Sequence, residues 1–192
     1  MVERIELRDG GWLLYAADLL DTGEADVLFD RLRNELEWRQ ERAYGRPMPR
    51  LNAWFADSGL VYAYSGLRHQ GSGWPEWLLT AKRQVEAVSG VPFNSLLLNL
   101  YRDGQDSIGF HTDAEPELGP DPVVATLSLG AERAFVLKHR DTRETLTFSL
   151  PHGSVLIMGG SSQHHWLHGV PKTRTSVSER ISLTYRRILA TG

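Results

Sequence analysis

The sequence predicts a mainly β member of the α+β class, a jelly-roll double sheet carrying N-terminal helices, and three observations lead there. Eight short apolar runs, punctuated by Gly, Pro and Asp, crowd into the residues from Asn94 onward, and they follow a period of two. Two segments of helical period precede them. At 192 residues the chain is long enough for one domain to bury a core without disulfides or structural metal.

The first ten residues carry Glu3, Arg4, Glu6, Arg8 and Asp9, too polar for a signal peptide, and no later apolar run is long enough to span a bilayer. A cytoplasmic protein with no membrane contact is the expectation. From Thr22, Leu28, Leu32 and Leu36 recur at helical spacing behind Glu24 and Asp26, acidic residues that suit the positive end of a helix dipole, so a helix is expected over 23–37. A second is expected over 75–89, with Pro75 inside its start, Leu78, Ala81, Val85 and Val88 on one stripe, and Gly90 just past its end.

The strands are then expected at 94–101, 107–113, 123–129, 133–138, 144–150, 153–158, 163–169 and 179–187. In T-L-T-F-S-L, Leu146, Phe148 and Leu150 face one way and Thr145, Thr147 and Ser149 the other, as in a half-buried antiparallel strand.

Composition removes several chemistries. With no cysteine, disulfides, thiolate zinc sites, iron-sulfur clusters and cysteine nucleophiles are excluded, so any metal must use His, Asp or Glu. Net charge is -3, but its distribution is uneven: residues 1–40 hold five basic and ten acidic side chains, and residues 121–192 hold nine and five. The C-terminal third could therefore present a basic face, or simply a solvated mixed surface.

In Y-R-D-G-Q-D-S-I-G-F-H-T-D, His111 and Asp113 stand two apart at the end of a strand, so both side chains leave the same face and can share one metal ion. A third ligand must come from Q-H-H-W-L-H-G-V-P. Alternation groups His164 with His168 and sets His165 apart, which narrows the choice to two. Two His and one carboxylate form the facial triad of non-heme Fe(II) oxygenases, which leaves coordination positions open. An isolated H-x-D is more often a surface or hydrogen-bonded pair.

The run R-I-S-L-T-Y-R alternates cleanly, with Arg180, Ser182, Thr184 and Arg186 on one face and Ile181, Leu183 and Tyr185 on the other. At about 3.3 Å per residue the arginines stand roughly 20 Å apart, and side chains leaning inward leave a gap suited to a short dicarboxylate. The bland reading is a solvated strand face.

Eight segments in unbroken order over residues 36–188 resemble the AlkB family, most of all the branch that includes the human DNA-repair homologues. They are P-R (49–50), Y-A-Y-S-G (62–66), F-N-S-L-L-L-N-L-Y-R-D-G (93–104), I-G-F-H-T-D-A-E-P-E-L (108–118), V-A-T-L-S-L-G (124–130), P-H-G-S-V-L-I-M (151–158), H-W-L-H-G-V-P (165–171) and R-I-S-L-T-Y-R. The resemblance implies a double-stranded β-helix with a nucleotide-recognition hairpin extension: one domain over 1–192, comprising an N-terminal extension over 1–92 and a catalytic core over 93–188. It implies Fe(II), 2-oxoglutarate and O2, with His111, Asp113 and His168 as metal ligands and His164 and His165 left as supporting or structural residues. Arg180 is implied at the distal carboxylate of 2-oxoglutarate, Arg186 at the carboxylate next to the metal, and Asn99 and Tyr101 as further hydrogen-bonding partners. Ser182 stands where several members carry Asn.

The same resemblance implies an alkylated base of DNA, or of RNA, extruded from its strand and held between His111 and Tyr64, with Glu115 at the base edge and Tyr62 and Arg50 lining the pocket. A cationic lesion such as 1-methyladenine or 3-methylcytosine suits Glu115. The implied reaction hydroxylates the N-alkyl carbon and releases formaldehyde, succinate and CO2, in a monomeric enzyme. Glu41 to Met48 is expected to form a strand-probing hairpin with Arg42, Tyr44 and Arg46, and phosphate contacts are expected on Arg133, Lys138, Arg140 and Lys172. Core packing is the plain alternative for Tyr44, Tyr62 and Tyr64. The competing functions are an oxygenase of the same fold acting on a protein side chain or small molecule, and a nucleic-acid-binding module with an inert metal site.

Overall fold

The computed structural model describes residues 1–43, 45–64 and 67–189; the side chains at 43, 62–64 and 67–69 lie outside that description. The expected positions Tyr44, Tyr62 and Tyr64 therefore fall, as side chains, outside the described residues.

Three layers stack on one another. The middle layer is a seven-stranded antiparallel sheet. In chain order its strands are β1 (Glu3–Glu6), β2 (Gly11–Ala16), β5 (Leu51–Ala56), β8 (Ser95–Tyr101), β10 (Val124–Gly130), β13 (Ser154–Gly160) and β15 (Arg180–Arg186). In space the order is β1-β2-β13-β10-β15-β8-β5. The second sheet has four strands in the order β12-β11-β14-β9, formed by β9 (Ile108–His111), β11 (Arg133–His139), β12 (Thr145–Leu150) and β14 (Trp166–Val170). Two short hairpins, β3 (Arg42–Ala43) with β4 (Arg46–Pro47) and β6 (Val61–Tyr64) with β7 (Leu67–Gln70), complete the strands. The two large sheets face each other as a jelly roll.

Both faces of the middle sheet are covered, which is why two of its inner strands, β8 and β13, read as near-continuous apolar runs. Against one face pack α1 (Thr22–Glu35) and α2 (Glu76–Ser89). Ala25, Leu28, Leu32, Leu78, Ala81 and Val85 from these helices meet Leu96, Leu98, Leu127, Ile157, Leu183 and Tyr185 from the strands. Against the other face the small sheet supplies Phe135, Leu137, Leu150, Trp166 and Val170, which meet Leu13, Val124, Leu156 and Met158.

Local chemistry accounts for the element ends. Asp21 caps α1: its carboxylate accepts from the Glu24 N–H at 2.8 Å while the Glu24 side chain accepts from the Asp21 N–H, so two orphan donors are satisfied reciprocally. Pro75 caps α2 rather than lying inside it, and Gly90 closes it at φ 72 with its N–H bonded to the Glu86 carbonyl. Gly130, at φ 81, turns β10 into β11 where an added Cβ would stand 2.4 Å from the Glu179 carbonyl oxygen.

Two expected strands are corrected. Residues 162–165 form a short helical turn, α3 (Ser162–His165), and β14 begins only at Trp166. The alternation that paired His164 with His168 therefore has no strand to act on. β9 stops at His111, so Asp113 sits in the loop beyond it. The strands β1 and β2 have no counterpart among the expected elements; they extend the middle sheet beyond β13.

Removing the α1 cap by Asp21→Ala is expected to lower stability by about 1 kcal/mol. Urea unfolding should show a lower midpoint with an unchanged slope.

Candidate metal and co-substrate site

The open end of the jelly roll holds a cavity of about 100 Å³, lined from both sheets. β14 and β9 are neighbours, and their register sets His168 directly opposite His111, with the two rings 4.3 Å apart. The loop after β9 brings Asp113 to them, and the ligating atoms of all three lie within 4.8 Å of one another. Local bonding determines which atoms are available. The His111 Nδ1–H donates to the Gly109 carbonyl at 2.9 Å, which leaves the Nε2 lone pair free to ligate. Phe135 stacks on His168 with ring centroids 5.5 Å apart, and Gln163 accepts the Asp113 backbone N–H at 2.9 Å.

The charges agree with a cation site. One oxygen of Asp113 accepts from Arg186 Nη2 at 2.7 Å. The other, Oδ2, is buried without a hydrogen-bond partner and faces His168 Nε2 at 3.6 Å, too long for a good hydrogen bond. Burial pushes the Asp113 carboxyl up, but Arg186 and His168 hold it well below the usual carboxylate range. His111 is pushed down to about 4, by burial first and by His168 second, so its ring is neutral at pH 7. A metal ion would satisfy the orphaned Oδ2, and these three residues fit Fe(II) as a two-His, one-carboxylate set.

The alternation of R-I-S-L-T-Y-R places its polar face in the same cavity: Arg180, Ser182, Thr184 and Arg186 line it, while Ile181, Leu183 and Tyr185 enter the helix-covered core. Neighbouring strands add partners in register, Asn99 beside Ser182 and Tyr101 beside Arg180. Asn99 Oδ1 accepts from both Arg50 Nε at 2.8 Å and Asn52 Nδ2 at 2.7 Å, which orients its amide. Arg180 is 1% exposed; Nη2 donates to Ser128 Oγ at 2.8 Å, but Nε and Nη1 are buried without hydrogen-bond partners. Burial lowers its pKa from the ordinary arginine value. These two unmatched donors are a cradle for a carboxylate, so the residues present fit 2-oxoglutarate also. Glu115 reaches the same cavity, and its carboxyl is raised by burial first and by Asp113 second.

All the described site residues expected from the sequence line this cavity: His111, Asp113, His168, Arg180, Arg186, Asn99, Tyr101, Glu115 and Arg50. Asn52, Gln163, Ser128 and Phe135 were missed, because their roles come from cross-strand and cross-loop contacts that no local pattern marks. The expected phosphate contact Arg133 is corrected: it is 4% exposed and donates to the carbonyls of Asp103, Asp106 and Pro171. Lys138 is half-buried, and Arg140 and Lys172 are exposed. His164 turns away to the Pro120 carbonyl and Asp121.

Among the described residues Asp9, His139 and His165 also cluster. His139 does not suit a metal: Nδ1 accepts the N–H groups of Asp141 and Thr142 at 3.2 Å, so the neutral ring carries its proton on Nε2, which bonds Asp9 at 2.7 Å.

Gln163→Leu removes the acceptor for the Asp113 N–H and is expected to weaken metal binding roughly ten- to a hundredfold; Mn(II) titration measures it. A second expectation concerns pH. Between about 4 and 6.5 the unfolded chain binds a proton at His111 that the folded chain does not, so metal-free stability rises with pH across that window. His111→Gln should remove that part of the slope in urea midpoints measured from pH 4 to 7.

Comparison with known proteins gives concordant results. The family model described as "2OG-Fe(II) oxygenase superfamily" matches residues 13–186. Bovine "DNA oxidative demethylase ALKBH2" is 36% identical over 188 residues, covering 90% of this chain and 68% of that protein. Rat "Alpha-ketoglutarate-dependent dioxygenase alkB homolog 3" is 38% identical over 185 residues, covering 88% of this chain and 61% of that protein. The chain thus spans about two thirds of the one relative and three fifths of the other. The solved structure of OsALKBH1 superposes with a TM-score of 0.70 at 17% identity, covering 96% of this chain and all of that one, a likeness of fold.

Proposed function

Because the chain belongs to the 2OG-Fe(II) oxygenase superfamily, we propose that it repairs nucleic acids by oxidative dealkylation of N-alkylated bases, of the 1-methyladenine and 3-methylcytosine type. The observation that carries this reading is the joining, in one cavity, of a two-His, one-carboxylate set with a buried, incompletely partnered arginine. The names of the relatives, which specify DNA oxidative demethylase, direct it to nucleic acid. Alkylated DNA is the partner, with RNA as a further substrate, and the enzyme is a monomer in the cytoplasm. Among the described residues no helix is long and apolar enough to cross a membrane.

His111, Asp113 and His168 would hold Fe(II), which with 2-oxoglutarate would activate O2, the oxidant, to hydroxylate an N-alkyl carbon, with succinate and CO2 as co-products. The protein's part is placement. Arg186 holds Asp113 ionised as a ligand, and the His111 tautomer set by Gly109 presents Nε2. Arg180 and Tyr101 would take the distal carboxylate of 2-oxoglutarate, Asn99 would donate to the co-substrate through the amide nitrogen that Arg50 and Asn52 leave free, and Arg186 would serve the carboxylate that chelates the metal. Glu115 and Arg50 line the same cavity, and on the family pattern Glu115 is assigned to the edge of an extruded base and Tyr62 and Tyr64 to the same base pocket. A hydroxymethyl group on the base nitrogen then collapses to formaldehyde and the restored base.

The test is mass spectrometry of single-stranded oligonucleotides carrying either lesion, incubated with Fe(II), 2-oxoglutarate, ascorbate and air. Loss of one methylene mass is expected, dependent on 2-oxoglutarate and absent from His168→Ala. Succinate production with no change in the oligonucleotide would move the substrate to a protein side chain or small molecule.

A further inference from the structure

Behind the distal end of the cavity lies a cation that the proposed reaction does not use. Arg133 opens β11 and does not line the cavity. Its Nη1 donates to the Asp103 carbonyl at 3.0 Å, and its Nη2 to the carbonyls of Asp106 at 3.0 Å and Pro171 at 2.7 Å. These acceptors are all neutral. The nearby Asp106 carboxylate is engaged on both oxygens by Arg102, at 2.7 and 3.0 Å. Arg133 is therefore a buried guanidinium fixed in place by dipoles; no carboxylate is hydrogen-bonded to it, and the Asp103 and Asp106 charges nearby offset its own only in part.

That charge is felt through Tyr101. The Cζ of Arg133 lies 5.8 Å from the Tyr101 ring centroid, and the Cζ of Arg180 lies 5.2 Å from the same centroid. One aromatic ring thus joins two buried guanidinium groups, and only Arg180 reaches the cavity. Two like charges held this close in a dry setting disfavour each other, and Arg133 adds to burial in lowering the Arg180 pKa. An anion arriving at Arg180 relieves both.

Resting on the co-substrate reading above, we propose that Arg133 is a positioning residue for the distal carboxylate of a dicarboxylic 2-oxo acid: it braces the Tyr101 ring and sets a second positive charge behind Arg180. A purely structural tie between the 103–106 loop and Pro171 would use the same three carbonyls, but it would be indifferent to the charge of the ligand.

The experiment measures binding without turnover, as thermal stabilisation of the Mn(II)-loaded protein by 2-oxoglutarate and by 2-oxopentanoate, which keeps the 2-oxo acid and lacks the distal carboxylate. Arg133→Met is expected to weaken 2-oxoglutarate binding roughly tenfold and to leave 2-oxopentanoate unchanged. Arg133→Lys keeps the charge without the fork and should retain the preference for the dicarboxylate. Equal loss for both acids, or no loss for either, in Arg133→Met overturns the inference. Should that variant fail to fold, Arg133→Gln, which removes the charge and keeps a polar donor for the loop carbonyls, decides in its place: loss confined to 2-oxoglutarate supports the role, and equal loss for both acids or no loss for either overturns it. Native protein that responds to neither acid would overturn the oxygenase reading itself, and the inference with it.

Discussion

Arg180 and Arg186 are 1% and 8% exposed at the two ends of one strand, and withdrawing each charge from water costs several kcal/mol unless partners replace the solvent. The structure compensates the two ends differently. At Arg186 the counter-charge is Asp113, bonded at 2.7 Å, and that carboxylate keeps its second oxygen turned toward His168. At Arg180 the bonded partner is one hydroxyl, on Ser128, beside the face of Tyr101. The protein closes the electrostatic account at one end and leaves the other to a ligand. Because Ile181, Leu183 and Tyr185 alternate with the arginines into the helix-covered core, β15 is also the wall between packing and chemistry. A register slip of one residue would exchange those roles outright.

What was legible in the sequence was whatever repeats at short range. The two helices appear within two residues of their expected ends, since cap and stripe lie in the same window. The alternation in β12 and β15 translates into half-buried and two-sided strands as expected. The turn at 162–165 was not legible. S-Q-H-H carries no local helix signal, and the turn it forms packs against β2 and β13, contacts that no local pattern marks. His168 over His164 was therefore beyond periodicity, and the family pattern selected it; the structure gives the physical reason, a cross-strand pairing with His111. Asn52 and Gln163 were equally invisible, since each acts on a residue 47 or 50 positions away.

Charge counting on the sequence left a basic face and a solvated mixed surface both open for the C-terminal third, and burial favours the second. Of its nine basic residues, Arg133, Arg180 and Arg186 are buried. The six that remain meet five acidic side chains in the same segment, so the surface there is near neutral. The segment's positive charge is largely interior. Attraction to phosphates over the whole surface is correspondingly weak, which shifts the burden of substrate selection from long-range steering to the cavity itself.

Within the cavity a second carboxyl, that of Glu115, stands close to Asp113. Its Oε2 is buried without a partner, and its carboxyl is raised by burial and by the neighbouring Asp113 charge. An ionised Glu115 in the empty protein faces a like charge and little solvent. On the function proposed above, a base that carries a formal positive charge, as 1-methyladenine and 3-methylcytosine do, would remove that penalty on entering, whereas an undamaged neutral base would not. The discrimination is a difference between two states of one carboxylate, and it costs the native fold only the strain of holding Glu115 beside Asp113. Arg186 moderates the strain, so the group that holds Asp113 ionised also draws the Glu115 carboxyl back toward ionisation.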